Sequence, residues 1–227
     1  MLIVSWVVAT VIVMTGIARL EVETDAVEWF LEGDPVRLSY ESIRDHFSGI
    51  SPMNVVIEAP EGESVAAPKA VAAHSDLTTY LESLPEVGKA LSVADPLRQI
   101  HRGFVGSARE PLPVDSEVIE QYLLILESSE YMQDFLTIDR KLANGPLRAN
   151  DNGSDALLAV AGKANSWWEA HGPPGYSART TGIMYEFARA EDEITMGQLR
   201  GLVFALLVIA VILLTIFRSI KLAVIAL

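Results

Sequence analysis

Two apolar stretches, residues 2–18 and 202–217, stand near the two ends of the chain, and neither contains an Asp, Glu, Lys or Arg. A bilayer core about 30 Å thick takes roughly 20 apolar residues in a helix, with a working range of about 17–25. Each stretch is near the short end of that range and each is extended by its flank: Leu20 beyond Arg19, and residues 194–201 ahead of the second, with Arg200 placed to reach the interface. A core helix of a domain this size keeps a polar face, whereas residues 203–214 are apolar on every face. The second stretch reads as a membrane helix. The first competes with a cleaved signal peptide, whose small residues would be Thr15-Gly16-Ile17-Ala18. It lacks a positive n-region and its apolar run is long, which favours an uncleaved helix. After Arg218-Ser219-Ile220-Lys221 the chain turns apolar again over residues 222–227, the pattern expected of a third span cut short after a tight turn.

Between the stretches the chain is acidic. The net charge is -13, and all 30 Asp and Glu fall between Glu21 and Glu193. Such a surface repels nucleic acid and anionic headgroups, which argues against a DNA or RNA partner. The absence of Cys removes disulfides, thiolate nucleophiles and zinc–thiolate sites. Arg218 and Lys221 mark the far side of the second span as cytoplasmic and place the acidic domain outside, although Arg19 and Arg200 on the domain side balance the count.

Within the domain, short strands alternate with helices. Residues 41–47 have helical spacing, and Gly49 and Pro52 stop it. Asn54-Val55-Val56-Ile57-Glu58 is a β-branched strand, residues 61–73 form an exposed loop, and residues 76–84 form a helix with Ser75 as N-cap. Residues 87–93 complete a first β-α-β unit. A helix over 117–126 precedes a second unit. This unit has strands at 135–139 and 147–149 around an Asn144-Gly145-Pro146 turn, a helix over 155–171 capped by Ser154, and a strand at 176–181. A last helix, 182–196, runs toward the second span. Two β-α-β units suggest a duplicated α+β layer.

Several segments resemble the MMPL-like branch of the resistance-nodulation-division (RND) superfamily of membrane exporters. Leu20-Glu21-Val22-Glu23-Thr24-Asp25, Trp29-Phe30 and Asp34-Pro35-Val36-Arg37 look like its entry segment, and Phe47-Ser48-Gly49 before Asn54-Val55-Val56-Ile57 looks like its first porter strand. Leu81-Glu82-Ser83-Leu84-Pro85-Glu86-Val87 and Ser92-Val93-Ala94-Asp95-Pro96-Leu97 are similar to its helix-to-strand passage. Thr181-Gly182 and Phe217-Arg218-Ser219 are the clearest matches.

The resemblance implies an α+β extracytoplasmic porter domain of two ferredoxin-like βαβ repeats, flanked by two transmembrane helices. The corresponding boundaries are a membrane helix at 1–20, the porter domain at 21–196, a second membrane helix at 197–218, and a cytoplasmic turn with the start of a truncated third helix at 219–227. It further implies proton-driven export of a lipid or hydrophobic molecule by a multi-pass protein of a bacterial inner membrane. The partners would be membrane lipids, that substrate, further membrane helices and other copies of the chain. The family's proton-relay carboxylates lie on a later membrane helix, and neither apolar stretch carries one. The competing reading is a two-helix membrane sensor with an extracytoplasmic ligand-binding domain, which would continue into a polar linker or coiled coil; a membrane-anchored enzyme is a third.

No catalytic, cofactor or metal residue is expected. His46, His74, His101 and His171 share no metal-ligand spacing and read as surface or helix-end residues. No nucleophile elbow, phosphate loop or dinucleotide motif occurs, so the chain is not expected to be an enzyme. Asn152-Gly153-Ser154 fits a glycosylation sequon but reads as a loop and helix cap. Of Trp167 and Trp168, one is expected to pack on the sheet and the other to face solvent or a substrate path. Gly197 and Gly201 have G-x-x-x-G spacing, which serves close helix packing or a flexible junction equally well.

Overall fold

The computed structural model describes residue 25 and residues 27–106, 112–126 and 130–227. The first apolar stretch, residues 2–18, therefore lies outside the described residues. Among the described residues seven α-helices and four strands follow in the order α1 (Pro35–His46), β1 (Ser51–Glu58), α2 (Pro68–Glu82), β2 (Val87–Ala90), α3 (Ala94–Val105), α4 (Ser116–Leu126), β3 (Leu142–Ala149), α5 (Ser154–His171), β4 (Ser177–Thr181), α6 (Ile183–Phe217) and α7 (Ile220–Ala226), with a 3-10 turn at Glu130–Asp134 before β3.

The strands form one sheet in the order β2-β3-β1-β4, antiparallel at every pairing. Because β3 lies between β1 and β2, and β1 between β3 and β4, each β-α-β unit is split by a strand of the other. The two units predicted from sequence thus share one sheet. Alternation along β1 turns Met53, Val55 and Ile57 into the core, each 1% exposed. Directly paired residues share a face, so Ala143, Gly145, Leu147 and Ala149 of β3 point the same way. Helices α2 and α5 cover this face with Leu77, Leu81, Leu157, Val160 and Trp168, and the inserted α3 and α4 add Leu97, Ile119 and Leu123.

Tertiary context corrects several expectations. Residues 61–73 are not one exposed loop: Val65 and Ala66 are buried and α2 begins at Pro68. Pro is well suited to a first helical turn, where its missing N–H costs nothing. Ser75 is accordingly mid-helix and buried rather than a cap, and its hydroxyl accepts from Arg98. At α5, Ser154 is the first helical residue, and the cap position is Gly153, without a side-chain cap bond.

The Asn144-Gly145-Pro146 segment is a continuous central strand, not a turn. Pro146 supplies no N–H to the ladder, but its carbonyl still accepts from the Leu91 N–H (2.8 Å). Residues 135–139 are not a strand either. Leu136 makes one isolated bridge to Ala143, next to the half of β3 that the short β2 does not reach. Helix α3 begins with Asp95 receiving the Ser92 backbone N–H (2.7 Å) and hydroxyl (3.2 Å). Losing these bonds in Asp95→Ala should cost about 1 kcal/mol, read by chemical denaturation of the purified protein.

Candidate functional site

The end of the sheet from which the membrane-directed helix leaves is the functionally suggestive region. Strand β4 ends at Thr181, paired with Asn54. Gly182 then turns the chain at φ 114°, with the Asn54 Nδ2 and the Met53 Cα each only 3.2 Å from where a Cβ would stand. A left-handed turn pressed against a backbone admits glycine and little else. The helix that follows, α6, is unbroken for 35 residues.

Its first turns belong to the domain. Ala188 is 2% exposed, Met184 and Tyr185 pack on the core, and α6 meets both α5 and β1. Its outer face carries Glu186, Arg189 and Glu193 in i,i+3 and i,i+4 pairs at 3.8 and 3.2 Å. Beyond Arg200 the helix changes character. Leu202, Val203, Phe204, Leu207 and Ile209 are exposed, and its apolar segment buries nothing in the fold. By length and composition α6 can cross a membrane. A Cβ on Gly197 or Gly201 would meet nothing within 4 Å, so neither glycine packs against another described element. The helix stops at Arg218, in the left-handed region at φ 46°, and the apolar α7 follows at once.

At the same end of the sheet, the linker from α1 is sewn to the strands. The Ile50 N–H donates to the Ala149 carbonyl (3.0 Å), Arg148 Nη1 to the Phe47 carbonyl (3.1 Å), and the Gly49 N–H to the Arg44 carbonyl (3.1 Å). The Ser48 carbonyl lies directly against Gly88 of β2, leaving no room for a Cβ. Helix α1 starts with Asp34 accepting from the Val36 N–H (2.8 Å) and Pro35 in the first turn, yet buries none of its residues. Tyr40, half-buried on α1, has its hydroxyl pushed up to about 12, first by burial and then by the nearby Asp25 carboxylate.

The four histidines are scattered. His46 Nδ1 pairs with the Ser42 carbonyl (2.8 Å), His101 Nδ1 with the Tyr122 hydroxyl (3.0 Å), and His171 Nδ1 with the Trp167 carbonyl (3.0 Å). His74 departs from the surface or helix-end reading, being 1% exposed on the sheet-facing side of α2. Sequence reasoning missed it because α2 was expected to start after it. Among the described residues no three His, Asp or Glu come together to hold a metal. Trp168 is the buried member of the tryptophan pair, its Nε1 donating to the Tyr176 carbonyl (3.2 Å), while Trp167 stacks between Tyr80 and His171 on the outside. Two open depressions occur on the insertion: one of 440 Å³ lined by Asp95, Arg98, Gln99 and Arg102, and one of 270 Å³ at residues 132–140.

A sheet domain continuous with an exposed apolar helix is an arrangement suited to attachment to a membrane. The sequence model of the MMPL family matches residues 33–227, from the start of α1 through α7. The chain belongs to the MMPL family. Membership makes it a membrane transporter of RND type, and the match includes the split β-α-β sheet, α6 and the apolar α7. A search of curated proteins finds no match to this MMPL chain.

Proposed function

We propose that this MMPL protein exports a lipid or other hydrophobic molecule at the expense of a proton gradient. In this reading residues 21–196 are its substrate-handling porter domain, outside the cytoplasmic membrane. The interleaved β-α-β units are read as the two ferredoxin-like repeats of that domain, with spans at 1–20 and 197–218, and residues 219–227 as a cytoplasmic turn leading into a further membrane helix. The described region holds no catalytic or metal centre on this proposal; the proton relay belongs to other membrane helices, and the protein works as a homo-oligomer. The observation that carries the reading is α6, one rigid element that begins against Met53 and Asn54 in the sheet and ends in an apolar span. An unbroken helix can transmit a rigid-body displacement between membrane and porter domain, as alternating access requires. Arg218 and Lys221, close behind the span, support the outward placement of the domain.

Reporter fusions test the topology. Alkaline phosphatase joined after Asn152, in the loop before α5, should be active, and a fluorescent protein that matures only in the cytoplasm should be dark there. The opposite pattern would refute it. Export itself is tested by comparing lipids extracted from the surface of cells with and without the protein. Unchanged surface lipids with an outward domain would leave the topology standing and remove the cargo assignment.

A further inference from the structure

An ionisable ring is sealed in the seam between α2 and the sheet. His74 is 1% exposed, and among the described residues neither of its nitrogens has a hydrogen-bond partner. A Cβ added to Gly145, in the central strand β3, would stand 2.6 Å from His74 Nε2, so the ring occupies the space that a side chain at 145 would need. The neighbours that enclose the ring along α2 include Val71, Leu77 and Thr78, all buried. An imidazole without partners is tolerated in such a place when neutral, and a charged imidazolium is not.

We infer that His74 is an acid-sensitive latch: neutral, it lets α2 lie closed on β3, and on protonation it must leave the core, lifting α2 from the sheet. The latch requires only the fold and stands independently of the cargo or direction of transport. Helix α2 packs against β2, α3 and α5. Several charges on these elements are engaged elsewhere: Glu82 of α2 with Lys89 of β2 (2.6 Å), Asp95 of α3 with Arg98 (3.1 Å), and Lys163 of α5 with Glu86 (2.7 Å). Arg98 also reaches the Ser75 hydroxyl, next to His74 in the chain. Asp76 of α2 is exposed, and Arg148 of β3 is bound to the Phe47 carbonyl. Among the described residues no carboxylate is placed to stabilise an imidazolium at His74.

Burial alone holds the His74 ring down at about 4, against 6.5 for a free histidine. Between these values the opened form takes up a proton that the closed form refuses. Closure is therefore favoured fully above pH 6.5 and is lost progressively as pH falls toward 4, and the ratio of open to closed rises by about 30-fold by pH 5. Other groups also titrate as pH falls, so the effect must be assigned to this ring by substitution.

Hydrogen exchange on the full chain in lipid nanodiscs, between pH 8 and pH 5 and corrected for intrinsic exchange rates, reads the latch. Amides of α2 and β3 should lose protection by about 30-fold at pH 5 relative to pH 8. His74→Leu, of similar volume and without charge, should hold its protection over that range. The His74 Cε1 resonance of the unaltered protein provides a reading that depends on no variant and should titrate near 4. The latch is overturned by flat protection in the unaltered chain, by equal loss in His74→Leu, or by a His74 resonance titrating at or above 6.

Discussion

Ala190→Pro should leave the MMPL protein inserted in the membrane at normal abundance and abolish the export proposed for it. Ala190 lies inside α6, two residues beyond the buried Ala188 and well before the apolar span, and its own side chain is exposed. The proline ring therefore meets no other element. What it removes is the backbone bond of residue 190 to the preceding turn, and its ring clashes with that turn's carbonyl, a cost of about 3 kcal/mol in a helix interior. The domain keeps its sheet and core, and the span keeps its apolar length, but the rod joining them is kinked. Ala190→Ser changes the side chain without removing the donor and should export normally. Surface-lipid analysis of cells carrying each variant, beside immunoblots of their membranes, separates the two cases. Export at the normal rate by the proline variant would mean that α6 is a passive tether.

Gly88→Ala should be the most damaging single methyl group in the domain. Its Cβ would be driven into the Ser48 carbonyl, with Asn150 Oδ1 only 2.6 Å away. Neither obstacle can retreat cheaply. Ser48 belongs to a linker pinned by the Gly49, Ile50 and Arg148 hydrogen bonds, and Asn150 Nδ2 is itself bound to the Pro85 carbonyl (3.0 Å). Overpacking of this kind costs about 1–3 kcal/mol, and each linker bond broken to relieve it adds about 1 kcal/mol. A total near 3 kcal/mol would lower Tm by roughly 6–12 °C in a domain of this size. Gly162→Ala supplies the contrast. It lies in α5 with nothing within 4 Å of an added Cβ, and should gain about 0.5–1 kcal/mol from reduced backbone freedom in the unfolded chain. Thermal unfolding of both variants checks the pair, and a neutral Gly88→Ala would show that the seam between the α1 linker and the sheet is loose.

Local pattern sufficed where one element decides its own state. The β-branched run at Asn54 to Ile57, the apolar spacing of α4 and α5, and the uncharged stretch that ends α6 declare themselves because neighbours three, four or two residues apart set their faces. The uncharged stretch near the end of the chain likewise pointed to a membrane-directed helix, and ordered motifs were enough to point to the family. Burial against partners distant in sequence was beyond that reach. Asn144-Gly145-Pro146 has the composition of a turn, and only the approach of His74 from α2, 71 positions earlier by residue number, makes glycine the residue that fits a central strand there. Residues 61–73 look solvated until Val65 and Ala66 are seen to be buried. The interleaving of the two β-α-β units, the sealed imidazole and the clamp of Ser48 on Gly88 are decided by long-range packing. A linear pattern records which residues prefer to be buried; which of them meet is set by close packing among elements brought together only in the folded chain.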